Sequence, residues 1–233
     1  MIFDPRYFII ALPALLLAFY AQWKVNSAYE KYSRVPNRRG LTGMDAARVL
    51  LRSAGLPVSI EETPGKLSDH YDPGKNVLRL SQGVSRSPSV AALGIVAHEV
   101  GHALQDATDY GPLRARSSLV PVVNIGSWLG PIIFMVGLFL SRGTGSTTIA
   151  WIGLFLFAGT AVFALVTLPV ERNASKRALE LLGSYGVADG EELAQTKKVL
   201  DAAALTYVAA LAQSLSTLFY YGMLLTGFSR RDE

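Results

Sequence analysis

Residues 87–105 read SPSVAALGIVAHEVGHALQ, and the rest of the chain is best interpreted outward from this stretch. It contains the pentad His-Glu-Val-Gly-His and two of the three histidines of the chain. Positions four apart share a helix face, so His98 and His102 can direct imidazole nitrogens at one metal ion. Glu99 lies one position further round, where its carboxylate can reach a water held by the metal. Two neutral ligands and one base at this spacing are typical of metal-assisted hydrolysis.

The surroundings of the pentad support this interpretation. Ser87-Pro88 predicts a helix start, with serine as the cap and proline at the first helical position. Residues 90–97 are almost all apolar, which predicts a buried helix. Two histidines and a carboxylate on a buried helix are costly without a partner, and a zinc ion would supply one. The alternative interpretation is that the pentad has only a structural role.

The composition indicates a membrane protein. Half of the 233 residues are hydrophobic and only 17% are charged, and the mean hydropathy is +0.29. Soluble enzymes are usually more polar. The chain has no cysteine, which excludes disulfides, thiolate zinc ligands and cysteine nucleophiles.

Four apolar runs divide the chain. Residues 7–23 predict an uncleaved transmembrane anchor, because a cleaved signal peptide would need a basic start and a small-x-small cleavage site. Residues 119–140 and 149–170 would each be about 33 Å long as helices, and they predict a membrane hairpin. Residues 202–228 carry no charge and predict a fourth span or a helix packed against the others.

These runs predict a mainly α integral membrane protein with three to four transmembrane helices and a small cytoplasmic α+β catalytic unit. The predicted order is anchor, catalytic segment, hairpin, polar helical segment and C-terminal apolar helix, over residues 1–23, 24–118, 119–170, 171–201 and 202–233. Within the hairpin, Gly126 and Gly130 form a small-xxx-small pair that would let two helices approach closely.

The catalytic segment should begin with a short helix and two strands. Thr42 predicts a helix cap and Gly55 a helix end. Residues 58–61 and 76–81 have strand patterns and are separated by the turn signals Pro-Gly and Asp-Pro-Gly. The segment therefore predicts a helix followed by a hairpin, leading into the pentad helix.

The basic residues predict the orientation in the membrane. Eighteen of the 22 Lys and Arg residues lie between residues 24 and 116 or between 172 and 198, which share one side if all four runs span. By the positive-inside rule both polar segments are cytoplasmic and the N-terminus is outside. The membrane topology then explains the pI near 9.3, so no nucleic-acid partner is expected. The alternative interpretation of the basic residues 24–40 is a nucleic-acid-binding patch.

A hydrolytic zinc site usually has three protein ligands and an open position for water. Asp106 shares a face with His98 but lies about 12 Å further along the helix axis, too far to reach the same ion. The extended pattern HExxHxxGxxH would need glycine at position 105 and histidine at position 108, and the sequence has neither. The third ligand must therefore come from another part of the chain.

Acidic residues after the hairpin are the remaining candidates. The hairpin returns the chain to the side of the membrane that holds the pentad. Glu171 follows the second hairpin helix directly, whereas Glu180 comes later and is the weaker candidate. A glutamate at the membrane interface, without a metal, is the alternative role for Glu171.

Four segments resemble the YugP-type membrane zinc metallopeptidases of bacteria: TGMDAARVLLRSAGL, SDHYDPGKNVLRLS, HEVGHALQ and LPVERNASKRALELL. More distantly the chain is similar to the HtpX-type membrane proteases, whose zincin site is closed by a glutamate after a membrane hairpin. The resemblance implies His98, His102 and Glu171 as ligands of one zinc ion, and Glu99 as catalytic base. In HtpX-like proteins an aspartate four residues after that glutamate often supports a ligand histidine; here the position is Ser175, so the support must be built differently.

The sequence thus predicts a zinc-dependent endopeptidase of the plasma membrane, with its active site facing the cytoplasm and membrane or membrane-associated proteins as substrates. Residues 76–80 are expected to pair with an extended peptide, and His70 and Tyr71 are candidates for substrate or oxyanion contacts. A solvated turn is the alternative for His70. The rival function is a non-catalytic membrane scaffold or adaptor with a structural zinc site, whereas a metal transporter would need ionisable residues inside the spans.

Overall fold

The computed structural model describes residues 5–229, and these are mainly helical with one small sheet, as predicted. The strands are β1 Ser59–Thr63, β2 His70–Asp72 and β3 Val77–Ser81. The helices are α1 Pro5–Ser33, α2 Gly43–Ser53, α3 Gln82–Ser85, α4 Val90–Ala107, α5 Gly111–Thr144, α6 Thr148–Ser184 and α7 Gly190–Ser229. The first four residues of the predicted anchor and the basic pair Arg230-Arg231 lie outside the described residues.

Four of the described helices, α1, α5, α6 and α7, are long and apolar enough to cross a membrane. Only 11–22% of the residues in their most apolar stretches are buried within the protein. Large apolar side chains on these helices are exposed, among them Ile9, Trp128, Phe155 and Phe219. A lipid environment would cover such surface, and the prediction of three to four spans is confirmed by length and composition.

The two helices of the hairpin pack closely at the predicted glycines. A Cβ atom added to Gly126 would lie 2.6 Å from the carbonyl oxygen of Leu156. One added to Gly130 would lie 2.8 Å from the backbone nitrogen of Phe157. Any larger side chain would collide with the backbone of α6, so the small-xxx-small prediction is confirmed.

The described chain divides into two compact units. The first contains the residues up to Tyr20, Ala115–Leu168 and the residues from Thr206 onward. The second contains Ala21–Arg114 and Pro169–Leu205, and all the residues of the candidate site belong to it. The predicted five-segment division of the chain stays a prediction.

Helix α2 forms as its local sequence predicts. The Thr42 side chain accepts a hydrogen bond from the backbone of Asp45, and the Asp45 side chain accepts one from the backbone of Thr42. This capping box satisfies two backbone N–H groups that the helix leaves without partners. After the helix, Gly55 adopts φ +66°, a conformation that favours glycine.

The strand pairing differs from the predicted hairpin. The sheet order is β1-β3-β2, with β1 parallel to β3 and β2 antiparallel to it. The predicted pair, β1 and β3, is therefore parallel, and the unpredicted strand β2 lies in the crossover between them. Because β3 is the central strand, both of its edges are occupied, and the prediction that residues 76–80 pair with a substrate is wrong.

Helix α4 starts two residues later than predicted. Ser89, and not Ser87, is the cap, and its side chain accepts from the backbone of Ala92. Residues 87–89 stay extended because Asn37 donates its backbone N–H to the carbonyl of Pro88, and Pro36 forms a bridge with Ser89. From Val90 onward the helix is largely buried, as predicted, in a core with α2, β3 and α6.

Candidate metal centre

Helix α4 presents both histidines of the pentad on one face. The ring centroids of His98 and His102 lie 4.7 Å apart. His102 is buried and the His98 side chain keeps 16% of its surface exposed. The apolar residues around them, Val96, Ala97, Val100 and Ala103, are almost completely buried, so the imidazoles have few alternative positions.

Glu171 on α6 completes the group. Its Oε2 lies 3.1 Å from His98 Nε2 and 3.5 Å from His102 Nε2, and its residue is only 2% exposed. Among the described residues, these three form the group that could hold a metal ion, with ligand atoms within 4.8 Å of one another. Glu180 is more than half exposed and pairs with Lys176 instead.

The spacing of the three ligand atoms fits a zinc ion. Donors bound at about 2.1 Å in a tetrahedral zinc site lie roughly 3.4 Å from one another. The two measured distances between the Glu171 oxygen and the histidine nitrogens lie close to this value. Two imidazoles and one carboxylate are also a known donor set of catalytic zinc, which leaves a position for water.

The glycine of the pentad lets α6 approach α4. A Cβ atom added to Gly101 would lie 2.6 Å from the carbonyl oxygen of Ala174. The backbones of the two helices are therefore in contact one turn from Glu171. The sequence prediction missed this role, although a glycine inside a buried helix is a signal for close approach.

Both histidines are supported at the ring nitrogen that faces away from Glu171. His98 Nδ1 lies 3.2 Å from the hydroxyl oxygen of Ser175, and His102 Nδ1 lies 3.0 Å from Gln105 Oε1. The expected difference in the support of His98 is therefore one of chemistry and not of position: Ser175 itself provides the partner, with a hydroxyl instead of a carboxylate. Such partners orient a ligand histidine and raise its basicity.

Electrostatics around the histidines favour a bound cation. Burial lowers the pKa of His102, but the hydrogen bond to Glu171 and the charges of Glu99 and Glu171 outweigh burial and raise it. Two carboxylates thus surround an imidazole in a site with little solvent. A metal cation would take the place of the proton that this arrangement favours.

Glu99 lies beside the group and not within it. Its Oε2 accepts a hydrogen bond of 3.0 Å from the backbone N–H of Tyr71, and the residue remains partly exposed. Burial raises the pKa of its carboxyl, while the charges of His98 and His102 oppose this shift. A carboxylate that is fixed by a hydrogen bond and has a raised pKa is suited to accept a proton in general base catalysis.

Strand β2 brings Tyr71 to the site and leaves His70 away from it. The Tyr71 hydroxyl lies 2.9 Å from Asp106 Oδ2 and 3.0 Å from Asn76 Oδ1, and burial and Asp106 raise its pKa. His70 is exposed, and its Nδ1 lies 2.8 Å from the Ser68 carbonyl. Neighbouring side chains of a strand point to opposite faces, so the His70 ring lies on the face opposite to that of the Tyr71 ring.

Four candidate spans, together with a His-His-Glu group beside a second glutamate, are the features of a membrane zinc metallopeptidase. Comparison with known proteins points to the same class of protein. The family described as "Putative neutral zinc metallopeptidase" matches residues 7–226, and the chain belongs to this family. The chain is 44% identical over 225 residues to "Putative membrane protease YugP" of Bacillus subtilis (strain 168), covering 96% of this chain and 97% of that protein. No solved structure matches it.

Proposed function

We propose that the protein is a zinc-dependent endopeptidase that hydrolyses peptide bonds at the membrane. The observation that carries this proposal is the convergence of His98, His102 and Glu171, with Glu99 directly beside them. Both parts of the site are needed for hydrolysis: a place for one zinc ion and a base next to it. Membership of a zinc metallopeptidase family supports the choice of metal and reaction class.

Each residue of the site has a role in this reaction. His98 and His102 provide neutral nitrogen donors, and Glu171 provides a carboxylate oxygen. A bound zinc ion supplies Lewis acidity, which activates water and polarises a peptide carbonyl. Glu99 takes the proton of the attacking water on its carboxylate and delivers it to the leaving amine.

The position of strand β2 next to the site supports the proposal that the substrate is a peptide. It is an edge strand, because only one of its sides pairs with β3. Its Tyr71 N–H reaches Glu99, so the other side faces the base. An extended peptide lying along this edge would bring its backbone to the metal, and Tyr71 is then a contact for substrate or oxyanion.

The proposed location is the plasma membrane, with the site on the cytoplasmic side. Four candidate spans support a multi-pass protein, and the distribution of 18 of the 22 basic residues supports the orientation. A relative named as a membrane protease supports membrane proteolysis. A site with this location would act on membrane or membrane-associated proteins.

The test compares purified wild-type protein with Glu171→Ala and Glu99→Gln for zinc content and casein cleavage. The wild type should hold one zinc ion per chain and cleave casein. Glu171→Ala should lose zinc and activity together. Glu99→Gln should keep its zinc while cleavage falls by roughly 10²- to 10⁴-fold, because only the base is removed.

Glu180→Ala is the matched control. It removes the same side chain from the same helix at an exposed position, and it should keep both zinc and activity. Normal zinc content in Glu171→Ala would show that the third ligand is a different residue. If Glu99→Gln retained full biological activity, the protein would be a scaffold or adaptor with a structural zinc site.

A further inference from the structure

Gln105 is a completely buried residue whose side-chain amide has a partner on each side. Its oxygen lies 3.0 Å from His102 Nδ1. Its nitrogen donates to the carbonyl of Val170 at 2.8 Å and to Asn173 Oδ1 at 3.0 Å. The two partners on α6 bracket Glu171 in the sequence. One amide therefore joins a pentad histidine to the turn of α6 that carries the third ligand.

The neighbours of the amide determine which way it points. Val170 offers a backbone carbonyl, which can only accept, so the Gln105 NH2 group must face it. Asn173 Oδ1 also accepts from Arg177 Nε at 2.8 Å. A guanidinium only donates, so the atom of Asn173 that faces Arg177 and Gln105 must be its oxygen. Two independent partners thus place the Gln105 nitrogen toward α6 and its oxygen toward His102.

This orientation selects one tautomer of His102. An amide oxygen only accepts, so the proton of the neutral imidazole must be on Nδ1. The lone pair is then on Nε2, the atom that lies 3.5 Å from Glu171 Oε2. Ser175 does not make the same selection at His98, because a hydroxyl can either donate or accept.

We propose that Gln105 is a positioning residue of the metal centre, which selects the Nδ1–H tautomer of His102 and ties this histidine to the helix turn of Glu171. It touches neither substrate nor metal, and it acts through the two ligands that it connects. The proposal rests on the proposed zinc site. Glutamine at this position is one of the two residues that exclude the extended HExxHxxGxxH pattern, and here it has a supporting role.

The first test measures zinc affinity by chelator competition on the purified full-length chain. Gln105→Met keeps the length of the side chain but removes the acceptor and both donors. Zinc affinity should fall about 10- to 100-fold, as when other supporting partners of ligand histidines are lost. Gln195→Met, on the surface of α7 where Gln195 pairs with Glu191, is the matched control and should bind zinc normally.

The results separate this inference from the proposed function. If the wild type binds no zinc, the proposed zinc site fails. If the wild type binds zinc and Gln105→Met binds it as tightly, the positioning role of Gln105 is refuted while the zinc site stands.

The second test needs neither zinc nor a variant of Gln105. Heteronuclear NMR of the ring nitrogens is recorded on metal-free full-length protein at alkaline pH, where the imidazoles are neutral. The signals of His102 are assigned by their loss in His102→Gln. The proton of His102 should be on Nδ1, and a proton on Nε2 would overturn the proposal even if Gln105→Met failed to fold.

Discussion

At the residue scale, the supports of the two histidines have different chemistry. Gln105 is buried and held in one orientation by α6. Ser175 is only partly buried, and its hydroxyl lies 3.2 Å from His98 Nδ1, a longer contact than the one at His102. A rotatable hydroxyl at this distance restrains an imidazole less than an amide with a fixed orientation does. The position of His98 should therefore depend less on Ser175 than the position of His102 depends on Gln105.

We expect Ser175→Ala to weaken zinc binding by up to about tenfold, the lower end of the range for supporting partners. Ser175→Asp should bind zinc at least as well as the wild type, because a carboxylate accepts from Nδ1–H more strongly than a hydroxyl does. Chelator competition measures both variants. Ser184→Ala, at an exposed position of α6, is the control, and an unchanged affinity in Ser175→Ala would show that Ser175 does not support His98.

At the element scale, the site depends on how closely α4 and α6 approach. The pentad supplies two of the proposed ligands from α4, and α6 supplies the third from a continuous helix that passes through Pro169. The contact at Gly101 sets the separation of the two backbones, because the atoms nearest to a Cβ at this position are backbone atoms of Ala174. The distances between the proposed ligands therefore depend on a residue that is not one of them.

Gly101→Ala should damage the site without removing a ligand. Its Cβ would meet the Ala174 carbonyl oxygen at 2.6 Å, and a backbone atom cannot move aside as a side chain can. Such overpacking costs about 1–3 kcal/mol, and moving α6 would also separate Glu171 from the histidines. We expect a lower Tm and reduced zinc content, measured by thermal unfolding and metal analysis.

Gly183→Ala is the control for this variant. Gly183 also lies on α6, but a Cβ there would make an ordinary contact of 3.4 Å with Leu193 Cδ1. Alanine should be tolerated at this position or should slightly stabilise the helix. Equal zinc content in Gly101→Ala and Gly183→Ala would contradict the spacing role of Gly101.

At the scale of the whole molecule, the unit that holds the site is discontinuous in sequence. It combines Ala21–Arg114 with Pro169–Leu205, and the hairpin helices α5 and α6 connect the two parts. His98 and Glu171 therefore come together only when the chain has folded back after the hairpin. The proposed orientation places this unit in the cytoplasm and the hairpin loop outside.

Single-cysteine labelling tests this orientation directly, since the natural chain has no cysteine. In intact cells a membrane-impermeant maleimide should label Ser146→Cys in the hairpin loop. It should label Ser184→Cys, at an exposed position in the unit with the site, only after the membrane is permeabilised. The reverse labelling pattern would place the site outside the cytoplasm.

The sequence alone predicted most of the elements and the three residues of the candidate metal centre. Hydrophobic run length predicted the four candidate spans, and capping residues predicted α2. The spacing of His98 and His102 predicted their shared face, and the return of the chain through the predicted hairpin pointed to Glu171. These features are local, or they follow from a chain that crosses the membrane and returns to the same side. They can therefore be predicted from the amino-acid sequence.

Tertiary structure alone decided the strand order, the cap of α4 and the supports of the histidines. Strand β2 is three residues long, too short to have a pattern of its own, and Ser89 is the cap because residues 35–37 bind the extended segment before it. Gln105 and Gly101 both belong to the segment 87–105 that contains the pentad, but their partners lie about seventy residues later on α6. Contacts of this kind arise from the packing of two helices, and no local sequence pattern encodes which side chains will meet.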